Sequence, residues 1–294
     1  MPKKIQGIIA PLITPFTQDG NLDEKLVEQE VRYLTKSGVD GISPGGSTGE
    51  GAAVTDEELV RMVKIIRSID RDIPIVAGVI RNSTRAAVKA CLAAKAAGAD
   101  ALMVTPVSYN VLVPDDEGNY SFYDTISKEV GLPIVIYNVV PQNKISAELF
   151  KKITGIKNII GIKQSSGGIA AFYEMKMYCG NDAKIFSATD DMLYSTFELG
   201  ADGAISAILT VFPEQCVEMW KDVKTGNMAH ALELQNKVYT TWQAIAGNQF
   251  PIRIKYALRL LGRNPGFPRA PIVHISDEDK ARIEDAMKKA GFIQ

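Results

Sequence analysis

PIVIYNVVPQNKISAELFKKITGIKNIIGIK, residues 133–163, opens and closes on two short apolar, β-branched runs, Pro133–Tyr137 and Ile159–Lys163. Apolarity within each run is continuous rather than alternating, which predicts strands buried on both faces, as in a parallel sheet. The same kind of run recurs before this stretch at Gly7–Thr14, Gly41–Ser43, Pro74–Val79 and Ala101–Thr105. It recurs after it at Lys184–Ser187 and Gly203–Ser206. Successive starts lie roughly 20–34 residues apart, about one βα unit each.

The stretches between the runs read as helices. Asp23–Ser37 carries Leu26, Val27, Glu30, Val31 and Leu34 at helical spacing, and Gly38 ends it. Thr55 with Glu58 three residues on is a capping-box pattern. Thr84–Ala97 is alanine-rich and stops at Gly98. Eight strand–helix units in alternation predict an α/β fold, a (β/α)8 TIM barrel, with a doubly wound open sheet as the other solution. After Val211 the strand signals stop, and Pro213–Lys224, Met228–Ile245, Ile252–Leu261 and Ser276–Ala290 read as helices. One of these is expected to close the barrel as its eighth helix. The division is therefore a barrel over residues 1–225, carrying the active site, and a C-terminal helical bundle over residues 226–294.

The 294 residues are 46% hydrophobic and 23% charged, enough for one large core with an appendage. Net charge is −1 with no basic stripe, which argues against nucleic acid and for a small ligand. The three cysteines, Cys91, Cys179 and Cys216, are scattered, so free thiols in a reducing cytoplasm are expected rather than a disulfide framework or zinc site. The basic, apolar start MPKKIQGIIAPLITPF is interrupted by Pro11 and Pro15, unlike a signal peptide. No run approaches the ~18 continuous apolar residues of a membrane span.

In such a barrel the chemistry sits where strands end at their C-terminal edge. That rule selects three places. Strand two ends in Gly45-Gly46-Ser47-Thr48-Gly49-Glu50-Gly51, where adjacent hydroxyls and N–H groups suit a carboxylate or phosphate. Its four glycines would let the backbone approach a ligand; an ordinary glycine-rich turn is the other reading. The spacing matches neither a P-loop nor a dinucleotide fingerprint. Strand five ends in Tyr137-Asn138, with the phenol either in the barrel mouth or satisfied in the core. Strand six ends in Lys163 after Ile159-Ile160-Gly161-Ile162. Desolvation favours the neutral amine, the form that attacks a carbonyl; a lysine snorkelling from a sheet edge is the alternative. Lys184 begins its strand and so lies at the opposite face, while Lys255, in a C-terminal helix, reads as surface or packing. His230 and His274 are not in metal-ligand spacing, and a metal-dependent mechanism is disfavoured.

GGSTGEG at 45–51, the TP-x-x-YN stretch at Thr105–Asn110, YNVVP at Tyr137–Pro141, GIKQSSG at Gly161–Gly167 and GAISA at Gly203–Ala207 resemble the dihydrodipicolinate synthase / N-acetylneuraminate lyase family. The likeness runs from about Gly7 to the end, including PIRIKYALRLLG and PRAPI. It implies a class I lyase acting on pyruvate or another 2-oxo acid, without cofactor or metal. Lys163 would form the imine and Tyr137 would shuttle protons. Ser47 and Thr48, with the backbone at Gly46, would hold the carboxylate, and Ile205 would meet the substrate through its backbone. The resemblance also implies a homotetramer in which Tyr109 of a neighbouring subunit completes a relay.

Departures from the family pattern bear on the substrate. The strand-five motif usually continues with Pro-x-Arg, which grips the distal carboxylate of an aldehyde; here the run is Val139-Val140-Pro141-Gln142-Asn143-Lys144, with no arginine. The loop after strand four is lengthened, strand three has Gly78-Val79-Ile80-Arg81, and Ala188-Thr189-Asp190-Asp191 follows strand seven. A synthase using aspartate semialdehyde therefore competes with a sugar-acid aldolase, a keto-deoxy acid dehydratase and a pyrroline-carboxylate deaminase. A non-catalytic barrel that binds a ligand is a further reading.

Overall fold

A computed structural model describes residues 3–294, so the first two residues of the expected barrel and of the N-terminal segment lie outside it. The eight strands are β1 (Gly7–Pro11), β2 (Gly41–Ser43), β3 (Val76–Val79), β4 (Ala101–Val104), β5 (Ile134–Asn138), β6 (Ile159–Gln164), β7 (Lys184–Ser187) and β8 (Gly203–Ala204). All pair in parallel, in the order β2-β1-β8-β7-β6-β5-β4-β3, and a parallel bridge from Ile42 to Ile75 joins the two ends. That ring excludes the open doubly wound sheet. The helices between strands are α1 (Glu24–Lys36), α2 (Asp56–Ile69), α3 (Thr84–Ala97), α4 (Asp116–Val130), α5 (Ala147–Ile153), α6 (Gly168–Cys179) and α7 (Leu193–Glu198). After β8 come α8 (Ile208–Val211), a single turn that the sequence did not signal, then α9 (Pro213–Thr225), α10 (Met228–Ile245), α11 (Phe250–Leu260) and α12 (Asp277–Lys289).

Alternation along the strands sorts side chains into two buried layers. Ile9, Val76, Met103, Val135, Tyr137, Phe186 and Ile205 form a cluster of their own inside the barrel. Their chain neighbours Ile8, Ala77, Leu102, Ile134, Ile136 and Ile185 belong to the larger core between the strands and the helices. Both faces of most strands are thus apolar, which explains the continuous runs.

The local signals act as their chemistry requires. Thr55 Oγ1 accepts from Glu58 N at 3.2 Å and Glu58 Oε2 accepts from Thr55 N at 2.9 Å, so α2 starts on a full capping box. Asp23 accepts from Leu26 N and starts α1. Lys184 enters β7 at the far end of the barrel from the strand C-termini, and its Nζ donates to Ile5 O at 2.6 Å.

Of the two readings of Lys255, the surface one is overturned and the packing one holds. Its side chain is 0% exposed and forms an ion pair with Glu50 at 2.6 Å. A lysine can be buried in this way because all three of its donors find acceptors, including the carbonyls of Thr14 and Phe267.

The segment after α11 is fastened to the barrel by Arg263. Its guanidinium pairs with the buried carboxylate of Glu30 on α1, donates to Thr210 O at 2.8 Å and lies over the Tyr33 ring. Arg263→Ala strands the Glu30 charge in a mostly dry site, so urea unfolding should show a loss of about 3–5 kcal/mol. The double replacement Glu30→Gln with Arg263→Met should recover much of it, because no uncompensated charge remains.

Candidate active site

β5 and β6 pair with Tyr137 opposite Lys163 and Asn138 opposite Gln164. Alternation sends the first pair into the barrel mouth and the second outward. Outside, Asn138 Nδ2 donates to Gln164 Oε1 and to Ile145 O, each at 2.9 Å, while Asn138 Oδ1 accepts from Ile145 N at 2.9 Å. That closes the loop after β5 against its neighbour. Inside, Lys163 Nζ stands 3.7 Å from the centroid of the Tyr137 ring. Lys163 is 4% exposed and Tyr137 5%. The phenol then donates to Ser47 Oγ at 3.2 Å, joining strand five to the loop after strand two.

That loop folds as two short 3-10 turns, Ser47–Gly49 and Gly51–Ala53. Close packing of the protein itself accounts for three of its four glycines, Gly45, Gly49 and Gly51. A Cβ on Gly51 would lie 1.9 Å from Gly45 O, and one on Gly49 would lie 2.4 Å from Leu12 O. The loop packs against itself and β1 too closely for any side chain there. Gly46 does not line the cavity; its carbonyl accepts from the N–H groups of Gly49 and Gly51, both at 3.0 Å, and so sets the turn.

Ser47, Thr48, Tyr137, Lys163 and Ile205 converge on one cavity of about 180 Å³. This is below the ~300–1,000 Å³ of drug-sized sites and suits a small acid. Tyr109 does not join them: it is 58% exposed and lies outside the cavity of its own chain. Lys144 does not take the place of the missing arginine, since it is exposed and lines a separate pocket with Asn138 and Gln164. His230 stays at the surface, where its Nδ1 is 2.7 Å from Asp222 Oδ2.

Further walls include Asp190, from the run after strand seven already noted as bearing on the substrate, and four residues that the sequence did not single out. Ser165, Asp190 and Ser206 face the cavity at strand ends, and Trp242 and Phe250 reach it from the C-terminal helices. The site is therefore not confined to residues 1–225. Asp190 lies just past the end of β7, where the strand-end rule that chose Lys163 also applies. Nothing local marks Trp242 or Phe250, whose place depends on how α10 and α11 dock. Asp190 accepts from Ser206 Oγ and, at 2.7 Å, from Ile208 N. Burial pushes its carboxyl up from 3.8 to about 6, with those hydrogen bonds and the nearby Lys163 charge limiting the rise.

The dihydrodipicolinate synthetase family model matches residues 4–290 of the chain. The 4-hydroxy-tetrahydrodipicolinate synthase of Bartonella bacilliformis is 34% identical over 294 residues, covering 99% of each chain. Among solved structures, the chloride-inhibited dihydrodipicolinate synthase from Acinetobacter baumannii, complexed with pyruvate, superposes with a TM-score of 0.91 at 30% identity, over 99% of this chain and 100% of that one. CdNal from Clostridium difficile, in complex with mannosamine, gives 0.88 at 27% identity, over 98% and 100%.

The Asp190 carboxyl gives a signed stability test. Because its pKa is higher folded than unfolded, its contribution is complete below about pH 4 and is lost as pH rises through about 6. Moving it from 3.8 to about 6 costs the folded state ~3 kcal/mol once both states are ionised. Asp190→Asn keeps the acceptor for Ser206 and Ile208. Its melting temperature relative to wild type should therefore rise between pH 4 and 7; a constant difference across that range would show that Asp190 is not the titrating group.

Proposed function

The chain belongs to the dihydrodipicolinate synthetase family, and from that premise we propose that it is a class I lyase in which Lys163 condenses with pyruvate or a closely similar 2-oxo acid. The observation that carries this reading is the amine of Lys163 lying 3.7 Å from the Tyr137 ring centroid in a buried cavity, with Ser47 bonded to the same phenol. In the first step the amine attacks the ketone carbon and forms a carbinolamine. Tyr137 passes a proton to the departing hydroxyl, water leaves and a protonated imine remains. That imine draws electrons from the adjacent methyl, which gives a proton to the Tyr137 phenolate and becomes an enamine. The enamine carbon attacks an aldehyde, a carbon–carbon bond forms, and water attacks the new imine to release product and the lysine. The hydroxyls and N–H groups of Ser47 and Thr48 hold the carboxylate, and the Ile205 backbone borders the reacting carbon.

For the second substrate, the relatives' activity makes aspartate semialdehyde the first choice. One observation favours a second reading, cleavage or dehydration of a hydroxylated sugar acid. Among the described residues, Lys163 is the one cationic side chain lining the cavity, whereas Ser165, Asp190 and Ser206 offer it hydroxyl and carboxylate groups. A carboxylated aldehyde would find no fixed cation there, while a hydroxylated one would find partners.

The working form is proposed to be a cytoplasmic homotetramer, with Tyr109 completing a proton relay in an adjoining subunit. Tyr109, Val111 and Leu112 form an exposed apolar stretch suited to such a contact, and the three cysteines are buried free thiols. No helix among the described residues is long and apolar enough to cross a membrane.

Borohydride reduction in the presence of pyruvate should leave one mass adduct, on Lys163. An adduct elsewhere, or none, would remove the imine reading. Lys163→Ala should abolish turnover with the fold intact by circular dichroism, and Tyr137→Phe should lower kcat by about 10²–10⁴-fold, as loss of a positioned proton carrier does. Turnover of aspartate semialdehyde against a panel of hydroxylated 2-oxo acids separates the two substrate readings.

A further inference from the structure

Lys255 is the one charged side chain among the described residues with no exposed surface, and it does not line the cavity that holds Lys163. Its ammonium group meets three segments far apart in the chain: Thr14 O after β1 at 2.8 Å, Glu50 Oε1 at 2.6 Å and Phe267 O at 2.7 Å. Glu50 Oε2 accepts in turn from Arg269 N at 2.9 Å. Glu50 stands two residues beyond Thr48 and holds the left-handed conformation, φ 56°, with its N–H donating to Ser47 O at 3.1 Å. A side chain other than glycine stays in that region only where its surroundings over-determine it. On the other side of the turn, Thr14 Oγ1 donates to Gly49 O at 2.6 Å. Two supports of the Ser47–Gly49 turn, Glu50 and Thr14, therefore meet at one ammonium group.

Stability alone is a weak reason for such a pair, because apolar side chains of the same volume often serve as well. Loop geometry is a stronger one. We propose that Lys255 is a positioning residue for imine formation: through Glu50 and Thr14 it holds the Ser47–Thr48 turn where the carboxylate of the 2-oxo acid docks. This inference rests on the reading of Lys163 as the imine-forming amine and of Ser47 and Thr48 as the carboxylate cradle.

The test compares borohydride trapping at Lys163 with two ketones, pyruvate and acetone. Acetone carries the same reacting carbon and methyl group but no carboxylate. Lys255→Met and Glu50→Gln should slow trapping by pyruvate about tenfold to a hundredfold and leave trapping by acetone within about twofold, the effect of a misplaced binding group rather than a damaged amine. The double variant should be no worse than the poorer single one, since both act through one pair. Equal slowing with both ketones, or unchanged trapping with pyruvate, would overturn the proposal. Should Lys255→Met not fold, Glu50→Gln, which preserves side-chain volume, gives the same readout. Wild-type trapping separates the two layers: if pyruvate leaves no adduct on Lys163, the imine reading falls and this inference with it. If the wild type traps normally, an indiscriminate loss in the variants overturns this inference alone.

Discussion

Alternation along a parallel strand, with both faces buried, is the constraint on which the mouth of this barrel depends. Lys163 follows Ile162, which packs outward against the helices, so Lys163 faces inward. Tyr137 follows Ile136 in the same way, and the pairing of β5 with β6 sets it directly opposite Lys163. Neighbouring strands are about 4.8 Å apart, which leaves an amine and a phenol in contact at one rim. A register slip of one residue would place Asn138 and Gln164 in the mouth instead. Those two residues bond to each other on the outer face, and their amide contact resists the slip.

A second feature turns that contact into a site. The phenol reaches Ser47, and the Ser47–Gly49 turn is held from behind. Gly49 and Gly51 allow it to pack against backbone, and Glu50 and Thr14 hold its ends. Most of the support comes from residues far away in sequence: Lys255 on α11, and the Phe267–Arg269 segment that follows it. The C-terminal helices therefore form part of the active-site wall, and Trp242 and Phe250 close the cavity directly.

The charge inventory of the cavity limits what this lyase can take. Among the described residues one cation, Lys163, and one carboxylate, Asp190, line it. Arg81, two residues beyond β3, does not line the cavity and is engaged with Asp56 at 2.7 Å. Beside these charges the cavity lining carries the hydroxyls of Ser47, Thr48, Ser165 and Ser206.

The fold was legible because its signal is local and repeated. Continuous apolar runs recur eight times, capping residues such as Thr55 and Asp23 and helix-ending glycines punctuate the stretches between them, and each needs only short-range physics to read. Lys163, Tyr137 and the Ser47–Thr48 turn were legible for a related reason: each ends a strand, and a barrel brings all strand ends to one rim. The role of the glycines in that turn was not, because crowding by Leu12 and Gly45 is set by packing between segments. The burial of Lys255 was hidden as well. In sequence it is a lysine on an amphipathic helix, and only docking of that helix supplies Thr14, Glu50 and Phe267 as its three acceptors. Periodicity along the chain thus determined the elements and the rim. Tertiary packing decided which charges are desolvated and which residues touch, because both depend on neighbours that no local stretch of sequence contains.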